Sequence, residues 1–107
     1  MSSEVESELY LASKSGKVIL GAKKVIRQLK SGNNPKLVVL ASNIPEELRM
    51  ELEYLSKLAG VPIYKYPGKS LDLGRAFKRP FFVSAAAIME EGESRIIDVL
   101  RKLEESR

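Results

Sequence analysis

The sequence predicts an α/β fold in which helices cover both faces of a four-stranded sheet. The spacing of apolar residues switches repeatedly between a helical period and short continuous runs, in the order α-β-α-β-α-β-α-β-α. The run Leu37–Ala41 is continuously apolar, as in a central strand that is covered on both faces and paired in parallel. We therefore expect a mostly parallel sheet with right-handed crossovers. A chain of 107 residues buries one core, so residues 1–107 are expected to form a single domain.

The first half of the chain shows the alternation clearly. A first helix is expected to end near Gly16, and its apolar residues at helical spacing are Val5, Leu9 and Ala12. Val18–Leu20 then predicts a short buried strand. A second helix is expected from about Gly21 to Ser31, because four apolar residues recur at i, i+3, i+4 and i+7, namely Ala22, Val25, Ile26 and Leu29. Gly32–Pro35 ends this helix before the Leu37–Ala41 strand.

The third helix and the third strand are delimited by proline and glycine. Ser42, Asn43 and Pro45 supply the expected capping and first-turn residues of the helix, and Gly60 ends it. Its inner stripe is expected to consist of Leu48, Leu52, Leu55 and Ala59. Val61–Tyr64 predicts the third strand, and the proline near its start suits an edge position.

The last elements are a short helix, a strand and a long helix. Ser70 is expected to cap the short helix, which runs through Phe77. Phe81–Met89 predicts the fourth strand, in which alternation directs one of its two leading phenylalanines into the core and the other outward. Ser94 then opens a helix whose apolar residues are Ile96, Ile97, Leu100 and Leu103.

The composition excludes most catalytic chemistry. The chain has no cysteine and no histidine, which removes disulfide scaffolds, Cys/His metal sites and the Cys-His and Ser-His-Asp nucleophiles. Its acidic residues lie in runs at helix ends and outer faces, not as paired carboxylates of a concave site. We therefore expect no enzymatic activity, no metal and no cofactor.

Membrane and export signals are not found in the sequence either. No apolar run reaches the roughly 20 residues that a membrane helix needs. The first residues are acidic where a secretory signal is basic. The expected location is the cytoplasm, without membrane contact.

The net charge of +4 conceals a strong segregation of charge along the chain. Seven basic and no acidic side chains lie between Leu9 and Pro45. Between Tyr54 and Met89, six basic side chains accompany Asp72 alone. A solvated helix face would carry interleaved acids that relieve the repulsion between like charges. Their absence favours a polyanionic partner such as nucleic acid.

One short motif suggests nucleotide binding. Gly68-Lys69-Ser70 resembles the end of a phosphate-binding loop, but position 63 is isoleucine where that loop needs its first glycine. A turn followed by a helix cap explains these residues better. A nucleotide-binding protein or enzyme is thus the first alternative to a nucleic-acid binder, and a protein-interaction module is the second.

Three segments carry residues of the types that bind nucleic acids. Gly21, Lys23 and Lys24 follow a strand and open a helix, where backbone N–H groups and two ammonium groups can hold a phosphate. Asn43 follows the central strand, at the sheet end where open α/β folds place ligands, although a cap or turn is its alternative role. Lys78–Val83 places two cations beside two phenylalanines, which suits base stacking, although a buried aromatic pair would also fit.

Several segments of the chain occur together in one known family. They are Ser15–Lys24, Leu37–Asn43, Glu51–Tyr54, Leu73-Gly74 and Gly92–Ser94. In order and spacing they resemble the L30e family of archaeal and eukaryotic large-subunit ribosomal proteins, which belongs to the kink-turn-binding superfamily with L7Ae. The resemblance covers the chain from Leu9 to Ile97. It implies a three-layer α/β/α sandwich with a four-stranded mixed sheet, which refines the mostly parallel expectation.

The resemblance also implies a structural constituent of the large ribosomal subunit that binds a kink-turn-like internal loop of ribosomal RNA. The Gly21–Lys24 turn would hold phosphates with Arg27 one turn further on, Asn43 would reach a base or sugar, and Phe81–Val83 would contact an extruded base. Of the two phenylalanines, we expect Phe81 to face the RNA. The complete expected RNA-binding set is Gly21, Lys23, Lys24, Arg27, Asn43, Lys78, Arg79, Phe81, Phe82 and Val83.

The chain departs from the wider superfamily at two places. Lys23 and Lys24 stand where its members carry an Asn-Glu pair that reads sheared guanine·adenine pairs, which puts base-specific readout at this turn in doubt. Phe82 stands where some relatives carry an arginine. The partners implied are ribosomal RNA and other large-subunit ribosomal proteins, with a monomer in isolation. A kink-turn-binding protein of a non-ribosomal small ribonucleoprotein is the alternative within the superfamily.

Overall fold

The computed structural model describes residues 2–105 and confirms the predicted order of helices and strands. The helices are α1 (Ser2–Ser15), α2 (Ala22–Lys30), α3 (Glu46–Ala59), α4 (Ser70–Ala76) and α5 (Ile96–Glu105). The strands are β1 (Lys17–Leu20), β2 (Leu37–Leu40), β3 (Ile63–Lys65) and β4 (Ala85–Glu90). Among these residues, no helix has the length and apolar character that crossing a membrane requires.

The strands form one mixed sheet in the order β1-β4-β2-β3. β2 and β3 pair in parallel, whereas β4 lies between β1 and β2 and is antiparallel to both. The mixed sheet is therefore confirmed, and the mostly parallel sheet expected from alternation alone is wrong. β3 lies at an edge, as the proline before it predicted.

The connection from β3 to β4, which contains the seven-residue helix α4, starts and finishes at the same end of the sheet. Tyr66, just after β3, and Ser84, just before β4, both bond to the same end of β2 through Leu40 and Ala41. β4 consequently starts at the end where the other strands stop.

Helices cover both faces of the sheet, which confirms the three-layer α/β/α sandwich. α2 and α3 pack on one face through a buried cluster that includes Val25 and Leu52. α1, α4 and α5 pack on the other face through a cluster that includes Leu9 and Phe77. Neighbouring residues of β2 alternate between the two clusters, as the two-residue period of a strand requires.

The fourth strand is shorter than predicted. It begins at Ala85 instead of Phe81, because Arg79 and Val83 bond to the backbone of α4 and the pairing with β2 starts only at Ser84. The Val83 N–H, for example, donates to the Ser70 carbonyl at 3.0 Å. Strand alternation therefore does not apply to Phe81 and Phe82, and both side chains are exposed.

Two of the predicted helix caps are wrong. The residue that precedes α3 is Pro45, and no side chain caps that helix, so Ser42 and Asn43 do not have the predicted role. Ser70 is the first residue of α4, and Lys69 occupies the cap position before it. At α3 the cause is that Asn43 bonds to Ser70 of α4 instead of to its own helix. At α4 the cap lies one residue earlier than predicted, where the Lys69 N–H donates to the Asp72 carboxylate at 2.9 Å.

The last helix begins as predicted. The Ser94 Oγ accepts the Ile96 N–H at 3.1 Å and donates to the Glu8 carbonyl at 2.7 Å, which joins the start of α5 to α1. The side chain of Leu103, predicted for the apolar stripe of α5, lies outside the described residues.

Candidate nucleic-acid interface

Four connecting segments meet at one end of the sheet. β1, β2 and β3 finish there and β4 starts there, so the chain segments that join these strands to their helices lie side by side. We call residues 21–24, 41–45, 66–69 and 77–84, together with the adjoining turn of α2, the loop surface. It brings together the segments that the sequence analysis singled out separately.

Main-chain hydrogen bonds hold these segments together. They join the Gly21 N–H to the Ala85 carbonyl (2.8 Å), the Ala41 N–H to the Ser84 carbonyl (2.9 Å) and the Ser42 N–H to the Gly68 carbonyl (2.9 Å). Because donors and acceptors are backbone atoms, the relative placement of the segments does not depend on the side chains that they expose.

Gly21 forms the N-terminal end of α2. Its φ of 113° is readily accessible to glycine and rarely to other residues. No side chain accepts the first N–H groups of α2, and no acidic residue lies in its first turn. Lys23, Lys24 and, one turn further on, Arg27 are exposed beside these N–H groups. The positive end of the helix and the three cations can together hold phosphate groups.

Asn43 connects two segments of the loop surface. Its Oδ1 accepts the Ser70 N–H at 2.8 Å, and its Nδ2 lies 3.4 Å from the Ser70 Oγ. The carbonyl oxygen of this side chain is therefore engaged with α4 and not with α3. At least one amide N–H of the exposed Asn43 has no partner within residues 2–105, and this donor is available to a ligand.

The segment 77–84 rests directly on the backbone of α4. The Arg79 N–H donates to the Gly74 carbonyl at 2.9 Å, and a Cβ on Gly74 would lie 2.1 Å from the Phe81 carbonyl oxygen. Lys78 has a φ of 58°, which is uncommon for a residue that carries a side chain. The chain therefore leaves α4 by a sharp turn and folds back over it in close contact.

The aromatic side chains of this segment face solvent. Phe81 is 50% exposed and Phe82 is 70% exposed, so they do not form a buried pair. Val83, in contrast, is 1% exposed and belongs to the core. Its side chain does not line the loop surface, although the sequence analysis placed it in the RNA-binding set. The surface thus presents two rings where strand alternation predicted one.

The two cations of the segment 77–84 differ in their surroundings. The Lys78 Nζ lies 5.5 Å from the centre of the Tyr10 ring, which the Lys14 Nζ also approaches to 5.8 Å. These are cation–π distances, so Lys78 is directed toward α1. Arg79 makes no ring contact or ion pair with the described residues. Arg79 is therefore the freer of the two to meet a phosphate.

The cations of the loop surface have no carboxylate partners. In the part of the chain that the structure describes, the ion pairs lie elsewhere and join Lys30 to Glu51, Lys36 to Glu91, Arg49 to Glu53 and Lys65 to Glu53. Lys30 lies on the same outer face of α2 as Lys23 and Arg27 but is neutralised by its contact with α3. The N-terminal half of α2 therefore carries three exposed cations without a carboxylate partner among the described residues, namely Lys23, Lys24 and Arg27.

Tyr66 joins the segment 66–69 to α1 by a hydrogen bond. It is 3% exposed, and its phenolic O–H donates to the Glu6 carboxylate at 2.7 Å. Burial, followed by the hydrogen bond to Glu6, raises the pKa of Tyr66 well above its usual value. The phenol therefore stays protonated and keeps donating at neutral pH.

Some residues hold the loop surface in position but add no charge to it, and the sequence did not identify them. Tyr66 is buried, and the Ser70 backbone donates its N–H to the Asn43 Oδ1 and accepts the Val83 N–H at its carbonyl oxygen. These contacts join residues that are distant in sequence, so no local spacing marks them. Gly74 did carry a signal, since a glycine inside a helix often marks a close approach of another backbone.

An α/β/α sandwich that presents unpaired cations and exposed aromatic rings at one end has the attributes of an RNA-binding protein. Comparison with known proteins leads to a family of this kind. Residues 3–98 match the model of a family described as "Ribosomal protein L7Ae/L30e/S12e/Gadd45 family". The chain is a member of this family.

Relatives named large ribosomal subunit protein eL30 resemble the chain over nearly its whole length. The protein from Methanopyrus kandleri is 43% identical over 99 residues, which cover 92% of this chain and 90% of the relative. The protein from Pyrobaculum neutrophilum is 42% identical, with 91% of this chain and 95% of the relative covered. The protein from Methanocaldococcus jannaschii is 41% identical, with 94% and 91% covered.

A solved structure shares the fold. It is that of a protein with unknown function from Bacillus halodurans C, with a TM-score of 0.76 and 21% sequence identity. The match covers 92% of this chain and 96% of that chain. At this identity the likeness shows the fold alone.

We expect Gly74→Ala to destabilise the protein by about 1–3 kcal/mol, because the added Cβ overlaps the Phe81 carbonyl and forces the segment 77–84 away from α4. In an open helix the same change would stabilise by about 1 kcal/mol. Urea unfolding measures the change in free energy, and ¹⁵N spectra report the displacement of residues 78–82. The exposed neighbour Arg75→Ala is the control and should change stability by less than about 0.5 kcal/mol. A more stable Gly74→Ala variant would show that the close approach is not needed.

Proposed function

We propose that this chain is a structural, non-catalytic constituent of the large ribosomal subunit, and that its loop surface binds a kink-turn-like internal loop of ribosomal RNA. The observation that carries the proposal is the convergence of unpaired cations and two exposed phenylalanine rings at one end of the sheet. Single-stranded or unstacked RNA is bound by this combination of phosphate contact and base stacking. The name of the eL30 relatives supports the ribosomal setting.

The α2 side of the loop surface is suited to the RNA backbone. Lys23, Lys24 and Arg27 are exposed around a helix end that has no acid in its first turn. A lysine donates hydrogen bonds but accepts none, so Lys23 and Lys24 cannot reproduce the acceptor contacts that an Asn-Glu pair makes with bases. This side therefore recognises the path of the phosphates, and through it the bend of the RNA, instead of a base sequence.

The other side of the loop surface is suited to bases. Phe81 and Phe82 expose their rings next to Arg79, whose guanidinium has no partner in the described part of the chain. A bent internal loop turns individual bases outward, and such bases stack on aromatic rings. Phe82 exposes the larger fraction of its side chain, so both rings are candidates and not Phe81 alone. The free amide N–H of Asn43 supplies a hydrogen-bond donor between the two sides.

A kink-turn-binding protein of a small ribonucleoprotein would use the same surface, so the ribosomal setting needs its own measurement. We expect the tagged chain, expressed in an archaeal host, to sediment with the large ribosomal subunit and to stay with it through a high-salt wash. Recovery only in light fractions that contain small RNAs would contradict the ribosomal setting and leave RNA binding intact.

RNA binding should weaken steeply with salt. If about four cations, namely Lys23, Lys24, Arg27 and Arg79, contact phosphates, log K falls with log[salt] at a slope of roughly −3 to −4. Fluorescence anisotropy with a labelled kink-turn RNA, measured over a series of potassium chloride concentrations, gives the slope. Lys23→Gln should make the slope shallower by about 0.7–0.9, which is the contribution of one contact.

The matched control for this measurement is Lys17→Gln. It removes the same charge from an exposed, unpaired lysine that begins β1, at the opposite end of the sheet. The slope of this variant should equal that of the unmodified chain. A flat salt response, or equal effects of the two substitutions, would overturn phosphate binding at the loop surface.

Each of Phe81→Ala and Phe82→Ala should lose about 1–3 kcal/mol of binding to the same RNA if its ring stacks on a base. Both side chains are at least half exposed, so the variants should retain their unfolding midpoints. Tyr54→Ala removes an aromatic ring of similar exposure from α3, outside the loop surface, and the affinity of this variant should not change. Unchanged affinity in both phenylalanine variants would refute base stacking here.

A further inference from the structure

Two ammonium groups share one aromatic ring on the face of the molecule that α1 covers. The Lys14 Nζ lies 5.8 Å from the centre of the Tyr10 ring, and the Lys78 Nζ lies 5.5 Å from it. Lys14 belongs to α1, one turn after Tyr10, whereas Lys78 belongs to the segment 77–84. We call Tyr10, Lys14 and Lys78 the Tyr10 cluster.

The cations of the Tyr10 cluster are not neutralised. Both lysines are exposed, and neither forms an ion pair with a residue in the described range 2–105. The ring attracts each ammonium group through its π-electrons, but it has no net charge of its own. The cluster therefore holds two like charges beside each other, and the resulting local excess of positive charge favours an anion at this place.

One acidic residue adjoins Tyr10 on the surface of α1. Positions 6, 7, 13 and 14 are one turn away from Tyr10, and Glu6 is the acid among them. Glu6 precedes the tyrosine by one turn, whereas Lys14 follows it by one turn. The Glu6 carboxylate accepts the O–H of the buried Tyr66 at 2.7 Å, so it is engaged with a different part of the molecule.

The acid of α4 is also engaged away from the Tyr10 cluster. The Asp72 carboxylate accepts the Lys69 N–H at 2.9 Å at the start of α4, whereas Lys78 follows the end of this helix. In the two stretches that form the cluster, residues 10–15 and 74–79, every charged residue is basic, namely Lys14, Arg75, Lys78 and Arg79. The sign of the charge here therefore selects an anionic partner.

The Tyr10 cluster continues the loop surface onto the face of α1. Lys78 immediately precedes Arg79, and adjacent Cα atoms lie about 3.8 Å apart. The hydrogen bond between Glu6 and Tyr66 places the N-terminal part of α1 at the sheet end that carries the loop surface. Because the Lys14 side chain reaches back along α1 to Tyr10, it extends toward that end.

We propose that the Tyr10 cluster binds phosphates of the RNA helix that flanks the internal loop held by the loop surface. This inference rests on the proposed function and adds α1 to the elements that bind RNA. Double-stranded RNA is bound mainly through its shape and its phosphates, and lysines supply point charges for such contacts. The RNA helix leaves the loop surface at Arg79 and passes over Lys78 toward Lys14.

The test compares a kink-turn RNA that has short stems with one whose stems are each longer by a helical turn. Binding to the full chain is measured by fluorescence anisotropy over a series of potassium chloride concentrations. If Lys14 and Lys78 each contact a phosphate of the extended stem, the slope of log K against log[salt] becomes steeper by roughly 1.4–1.8 on extension. Equal slopes for the two RNAs would overturn the proposal.

Substitutions connect the steeper slope to α1. Lys14→Gln should make the slope for the extended RNA shallower by about 0.7–0.9 and leave the slope for the short RNA unchanged. Lys14→Arg keeps the charge and should behave as the unmodified chain. The control, Lys57→Gln, removes the same charge from an exposed lysine of α3, on the other face of the sheet, and should change neither slope. Equal effects of Lys14→Gln and Lys57→Gln would contradict a contact at the Tyr10 cluster.

The Lys23→Gln variant separates this inference from the proposed function. If Lys23→Gln makes the slope shallower for both RNAs and Lys14→Gln does so for neither, the loop surface binds RNA and the Tyr10 cluster does not. If binding of both RNAs is independent of salt, the proposed function fails and this inference fails with it.

An acidic protein is the other polyanion that the charge of the Tyr10 cluster admits. We expect the extended RNA to shift the ¹⁵N signals of residues 10–14, and the short RNA to leave these signals in place. Poly-glutamate serves as the probe for an acidic protein and should not shift them. Signals of residues 10–14 that respond to poly-glutamate and not to the extended RNA would assign the cluster to an acidic protein and overturn the proposal.

Discussion

The direction of β4 is the constraint on which the rest of the structure depends. Because β4 enters the sheet between β1 and β2 and runs against both, it starts at the end where the other three strands stop. All four connecting segments therefore meet at that end, and none is carried to the opposite side. With β4 parallel to its neighbours, the segment 77–84 would lie at the far end of the sheet, and the phenylalanines would be separated from the cations of α2. The short α4 and its contact with Phe81 through Gly74 make this reversal compatible with a closed core.

The basic residues of the chain differ in whether a glutamate neutralises them. Lys30, Lys36 and Lys65 are neutralised by glutamates, whereas Lys23, Lys24 and Arg27 are left unpaired beside a helix end. Unpaired like charges repel, so they lower the stability of the free protein, and a bound polyanion relieves that repulsion.

The periodicity of apolar residues was sufficient to place α1 to α5 and the first three strands to within a few residues. Helical and strand periods are local properties, and the core positions Val25, Leu29 and Leu52 follow from them. Strand direction is not local, because a buried strand of small apolar residues such as Ala85–Ala87 has the same pattern in a parallel and an antiparallel sheet. The resemblance to a family supplied the mixed sheet that periodicity could not. For the site, the exposure of Lys23, Lys24 and Arg27 followed from the helix pattern. The contact of Asn43 with Ser70, and the burial of Val83 beside two exposed rings, are tertiary effects without a local signature.

The main-chain hydrogen bonds of Gly21, Ala41 and Ser42 fix the positions of the loops. The exposed side chains of the same loops, in contrast, determine which ligand the loops can bind. Since these bonds fix the loops without using side chains, residues at the exposed positions of the same loops can be exchanged while the frame persists. Such a surface can acquire a new ligand preference through a few substitutions, with little effect on folding. Positions 23 and 24, where the resemblance implies an Asn-Glu pair in the wider superfamily and this chain has two lysines, are exposed positions of this kind. The same property makes the frame a scaffold on which binding to differently bent RNAs could be selected or designed.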